Sequence, residues 1–173
     1  MSPDQLPPDV VHRWCSAAED GDATAAAACL APDVVLVSPL TERFRFTGRD
    51  EVAEVLTAAF GVLDDIRFHT ELRDGSAVAL YARAHVGREE LEEAQLLRLD
   101  AQGLIGELTL FVRPLPAVTG LMSALGPALA RNGGRRGLAA FLGAATGPLH
   151  AMARFGERRV VPLADPGRVP APR

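Results

Sequence analysis

The sequence contains no lysine; all 18 basic residues are arginine. That excludes Schiff-base chemistry and any phosphate-loop lysine. Cysteine is scarce as well. Cys15 and Cys29 form neither a CxxC pair nor a metal-ligand spacing, so both read as small buried apolar residues, which fits a reducing cytoplasm. No two of the four histidines stand at HxxxH spacing, and "GREELEE" lacks the calcium-loop pattern, so no metal and no cofactor are expected. Long apolar runs are absent too. The two uncharged runs, 114–130 and 137–153, contain proline and glycine and fall short of the roughly 20 residues that cross a bilayer. The opening "MSPDQLPPD" lacks a signal-peptide pattern. Aromatic residues make up only 5%, and "RNGGRRG" is short and poor in them, so nucleic-acid binding is not expected.

What is present is apolar and acidic. At 173 residues and 48% hydrophobic, the chain can bury the core of one domain with an appendage. Its net charge of −4 is split: residues up to Arg113 carry −10, and the rest carry +6. The basic tail is expected to lie on its own acidic body. An acidic partner, or membrane contact by residues 131–159, ranks below that.

The first 63 residues read as three helices with a short strand among them. Val11, Trp14, Cys15 and Ala18 share one helical face between Asp9 and Asp20. Gly21 ends this helix and Asp22 caps the next, to about Leu30. Val34 to Ser38 is a short apolar strand, and Ser38 reads as the punctuation that ends it. Arg43 to Phe46 alternates and suggests another strand. Asp50 caps a third helix, with Val52, Val55, Leu56, Ala59, Phe60 and Leu63 on its stripe. From Ile66 the period becomes two, and Asp74-Gly75, "GREELE" and "DAQG" punctuate four long strands into an antiparallel meander. Helices followed by a meander indicate an α+β layer architecture. Beyond Pro114 and Pro116, two apolar helical segments are expected, broken near Pro127 and Pro148 and packed against the body or a second subunit, where they could lid a cavity. The expected division is 8–115 for the main domain, 116–155 for a helical extension and 156–173 for a disordered basic tail.

The pieces "AAEDGDATAAAACLAPDVVLVSP", "FTGRDEVAEVL" and "LLRLDAQGLIGELTLFVRPL" resemble the nuclear transport factor 2-like superfamily, and its SnoaL-like branch in particular. The resemblance covers roughly residues 8–115. It implies a curved antiparallel sheet wrapped around the three N-terminal helices as a cone, with the interior as the ligand cavity. It also implies a homodimer formed through the outer face of the sheet. The superfamily includes polyketide cyclases, ketosteroid isomerases, epoxide hydrolases and domains without known chemistry, so the fold alone does not fix a reaction. Overlaid on a ketosteroid isomerase, the catalytic tyrosine falls at Trp14, the aspartate base at Ser38 and the second aspartate at Gln95. None of the three survives, which argues against isomerase-type proton transfer.

The same overlay points Val34, Leu36 and Ser38 inward. It does so also for Leu80, Ala82, Ala84 and Val86, for Gln95, Leu97 and Leu99, and for Leu108, Leu110 and Val112. The leading expectation is an apolar cavity for a small hydrophobic molecule, lined by Trp14, Ser38, Leu56, Phe60, Gln95, Leu97, Leu108 and Leu110. Trp14, Ser38 and Gln95 would supply its directional contacts. A one-residue register shift would instead bring Tyr81, His85, Glu107 and Arg113 inward and make a cofactor-free isomerase, cyclase or dehydratase. The third reading is a dimeric interaction module whose basic C-terminal segment docks on a partner.

Overall fold

The computed structural model describes residues 9–165. Two N-terminal helices form where side chains cap them. In α1 (Val10–Glu19) the Asp9 carboxylate accepts from the Val11 amide, and in α2 (Ala23–Ala27) Asp22 accepts from both Thr24 and Ala25. Strand β1 (Leu30–Val37) follows, and only Phe46–Thr47 pairs with it as β2. The strand expected over Arg43 to Phe46 is therefore displaced, and only Phe46 of it is paired. Phe44 stays out of the ladder and packs edge-on against Phe46, with ring centroids 5.3 Å apart. Helix α3 (Arg49–Phe60) starts one residue before Asp50. Gly48 is its N-cap at φ 85°, and the Glu51 carboxylate reaches back to the Thr47 amide at 2.7 Å.

Strands β3 (Asp64–Asp74), β4 (Ala77–Val86), β5 (Glu89–Leu99) and β6 (Ile105–Arg113) form the expected antiparallel meander. Strand β1 then joins β6 in parallel, which gives a curved, unclosed sheet in the order β2-β1-β6-β5-β4-β3. Alternation along β4 holds throughout: Val78, Leu80, Ala82, Ala84 and Val86 are buried. Along β3 it fails after Phe68. A register shift between Phe68 and Thr70 puts Thr70 and Leu72 in solvent, Leu72 at 59% exposure. The Phe68 amide at the shift donates to Glu19 Oε1 at 2.8 Å, tying β3 to α1.

Two long helices complete the described chain. Helices α4 (Leu115–Asn132) and α5 (Arg136–Phe155) run unbroken through Pro127 and Pro148, contrary to the expected interruptions. Each proline costs about 3 kcal/mol in a helix interior, and the extensive packing of α4 on α5 outweighs it. At one crossing Gly120 leaves room for His150, whose Nδ1 lies 3.2 Å from Thr119 Oγ1. Arg154 pairs with Glu89 at 2.7 Å and holds α5 to the β4–β5 hairpin. Residues 156–164 form two short helical turns, and the expected disordered tail otherwise lies outside the described residues. Among the described residues, no helix is long and apolar enough to cross a membrane.

The core lies between the sheet's concave face and α1 to α3. Trp14, Leu30, Val34, Val52, Val78, Leu80 and Leu97 are at its centre. A second cluster around Ile66, Ala84, Val86, Leu91 and Ala117 extends it beneath α4.

Candidate functional site

The concave face is not filled completely. Helices α1 and α3 cover one end, α4 crosses the other, and a cavity of about 200 Å³ remains between them. Leu36, Leu108 and Leu110 form its floor on β1 and β6, while Leu56 and Phe60 reach in from α3. Leu121, Met122, Leu125 and Leu129 of α4 form the lid. Phe44 and Phe46 stand at the side, beside the turn that follows β1.

Of the eight expected ligand-contacting residues, Trp14, Ser38, Leu56, Phe60, Gln95, Leu108 and Leu110 line this cavity. Leu97 does not. It is fully buried in the core with Val78 and Leu80, where helix packing leaves no space. Ser38 Oγ accepts from the Leu40 amide at 3.2 Å, so it closes the turn after β1 and also faces the cavity.

Tyr81, His85, Glu107 and Arg113 stand outside the cavity. The sheet register places Tyr81 and His85 on the convex side of β4, opposite Ala94 and Glu90. Glu107 faces Arg98 across β5 and β6, and Arg113 pairs with Glu92. Tyr81 and Arg113 share a shallow outer depression with His69, Glu92 and Phe111, away from His85 and Glu107. The alternative catalytic set therefore does not converge. The physical reason is the strict alternation of β4 with its apolar even positions inward.

Among the lining residues that the sequence did not mark as contacts, Glu93 is the one that ionises. Glu93 is 9% exposed and points into the cavity beside Gln95. Gln95 Nε2 donates to Glu93 Oε1 at 3.3 Å, and the Trp14 indole N–H donates to Gln95 Oε1 at 2.8 Å. A directed chain thus runs from α1 through β5 to a buried carboxyl. Burial is the main influence on that carboxyl and raises its pKa to about 7, with the Gln95 amide opposing only in part. The signal was legible: Glu93 has the parity of Gln95. It was hidden because "GREELEE" reads as an acidic turn, whereas β5 already begins at Glu89 and turns Leu91 and Glu93 inward.

Among the described residues, no group of three or more histidine, cysteine, aspartate or glutamate side chains is placed to hold a metal. The remaining polar groups near the cavity are hydroxyls and amides, so its chemistry consists of one carboxyl in an apolar chamber.

Comparison with known proteins agrees with this geometry. An uncharacterized protein conserved in bacteria with a cystatin-like fold, from Silicibacter pomeroyi DSS-3, superposes with a TM-score of 0.68 at 28% identity. That match covers 75% of this chain and 93% of the other. A steroid delta-isomerase from Pseudomonas aeruginosa gives 0.63 at 26% identity, over 75% and 96%. A SnoaL-like polyketide cyclase from Shewanella denitrificans OS-217 gives 0.51 at 12% identity, over 60% and 88%, and shares the fold. No curated protein matches the chain. The model of the SnoaL-like domain matches residues 11–107, more than half of the sequence, and the chain belongs to that family.

Proposed function

We propose that this protein binds a small hydrophobic molecule in the chamber between its sheet and α4. The observation that carries the reading is the lining itself: among its residues Glu93 is the sole ionisable one, in a wall otherwise built mainly of aliphatic and aromatic side chains. Trp14 and Gln95 are locked to each other and give the wall a fixed polar seam. Similarity to a steroid delta-isomerase supports a compact hydrophobic ligand. Isomerase chemistry is not carried over, because Trp14, Ser38 and Gln95 stand where that chemistry needs a tyrosine and two aspartates. The unpaired thiols of Cys15 and Cys29 support a reducing compartment such as the cytoplasm.

The test is thermal denaturation with a panel of monoterpenoids and fused bicyclic hydrocarbons. A ligand present at one hundred times its Kd stabilises by about 2.7 kcal/mol, which is a readily measured rise in Tm. An unchanged Tm across the panel would remove the reading.

A second reading concerns assembly. Tyr81 and Phe111 flank Ala94 on the convex face, at 42% and 57% exposure, and Leu96 and Thr109 adjoin them in the next row. An exposed aromatic row on the convex face supports a homodimer through that face.

A further inference from the structure

We propose that the cavity selects neutral hydrophobic ligands carrying one hydrogen-bond-accepting oxygen, a ketone or a cyclic ether, and that Glu93 in its protonated form is the donor that selects them. This rests on the cavity being a ligand site and adds the class of ligand to it.

The geometry assigns the two carboxyl oxygens different tasks. Oε1 accepts from the Gln95 amide, whose own oxygen is held by the Trp14 indole. That chain has one direction, since the indole can only donate. The proton of the neutral acid therefore belongs on Oε2, which has no hydrogen-bond partner among the described residues. A donor in an apolar chamber gains most from an acceptor that arrives with the ligand.

Charge decides between the ligand classes. The elements packed around Glu93 present no counter-ion. Its cross-strand neighbours are Ala82 on β4 and Val112 on β6. Helix α1 presents Trp14 and Ala18, α3 presents Val55, Leu56 and Phe60, and α4 presents Leu121, Met122 and Leu125. No charged group contributes to the Glu93 equilibrium, which burial and Gln95 alone set. A carboxylate ligand would meet either a like charge or an unscreened apolar wall. An ammonium ligand would have to shed its own hydration to enter the same apolar chamber. A neutral acceptor avoids both costs.

The experiment titrates the intact protein with 2-decalone, decalin, decahydro-2-naphthoate and 2-aminodecalin, following the fluorescence of Trp14, the sole tryptophan. At pH 5.5 the ketone is expected to bind about tenfold more tightly than the hydrocarbon, the worth of one buried hydrogen bond. At pH 8.5, with Glu93 ionised, that preference should vanish. Glu93→Gln keeps an N–H donor and should retain the preference at both pH values, while Glu93→Leu should remove it at both. Equal affinity of wild type for ketone and hydrocarbon at pH 5.5 overturns the inference and leaves the ligand-site reading intact. Tighter binding of the carboxylate, or of the amine at pH 8.5, overturns it also. Binding of none of the four at either pH overturns the ligand-site reading itself. The wild-type pH comparison stands even if a variant fails to fold.

Discussion

A buried acid without a counter-charge is a liability for the fold, and Glu93 makes that measurable. Its pKa of about 7 lies above the ordinary 4.5. The native state therefore holds an extra proton between these values, and stability falls as pH rises through that window. The deficit above pH 7 is about 3 kcal/mol. Glu93→Gln should thus be more stable than wild type by that amount at pH 8, with the gain fading towards pH 4.5, as read from urea denaturation at both pH values. Cys15 shows the same effect of burial on a thiol. Its thiol is pushed up to about 12, chiefly by desolvation, with Glu71 and Glu19 adding to the effect. Iodoacetamide at pH 8 should leave Cys15 unmodified in the native protein and label it in urea, as mass spectrometry would show. Neither property follows from residue type. Glutamate in an acidic run ordinarily stays solvated, and only the sheet register carries this one inside.

At the scale of elements, α4 matters most. It belongs at once to the core, through Ala117 and Leu121, and to the cavity wall, through Met122, Leu125 and Leu129. Its position depends on Gly120, where a Cβ would stand 3.2 Å from His150 Cε1 and 3.4 Å from Val86 Cγ1. Gly120→Leu is expected to wedge α4 away from α5 and β4 at a cost of about 1–3 kcal/mol. A lowered Tm and faster amide exchange in α5 would record it. The sequence showed that both C-terminal segments are apolar and helical. It suggested breaks at Pro127 and Pro148 because proline opposes helix locally, and tertiary packing overrode that preference. The short β2 and the shifted register of β3 were likewise hidden. Edge pairing and a bulge depend on partners distant in sequence, here β1 for Phe46 and Glu19 for Phe68.

Over the whole molecule, the sheet separates two environments. Its concave face holds the core and the chamber. Its convex face carries ion pairs such as Arg113–Glu92 and Arg98–Glu107 around the Tyr81 and Phe111 row. The open edge strand β3 is blunted by Arg67, Glu71 and Arg73, which discourages strand addition there. Assembly through the convex face is the route proposed for a second copy. Phe111→Glu should leave the fold intact and turn a dimer into a monomer in sedimentation velocity, whereas a wild type that sediments as a monomer at high concentration would end that proposal. Helix α5 offers a further exposed apolar face, with Phe141 at 67% and Met152 at 71%.

The sequence by itself determined the order of helices and strands and the inward parity of β4 and β6, and seven of the eight residues it marked as ligand contacts lie on the cavity wall. These follow from periods of 3.6 and 2 that each segment carries locally. Tertiary structure alone decided that Leu97 is sealed in the core, that the C-terminal helix α4 roofs the chamber, and that Glu93, inward by parity, stands there without a counter-charge. Each of those depends on where a strand begins or on what packs above it. Such facts are properties of neighbours brought together by folding, and no local period encodes them.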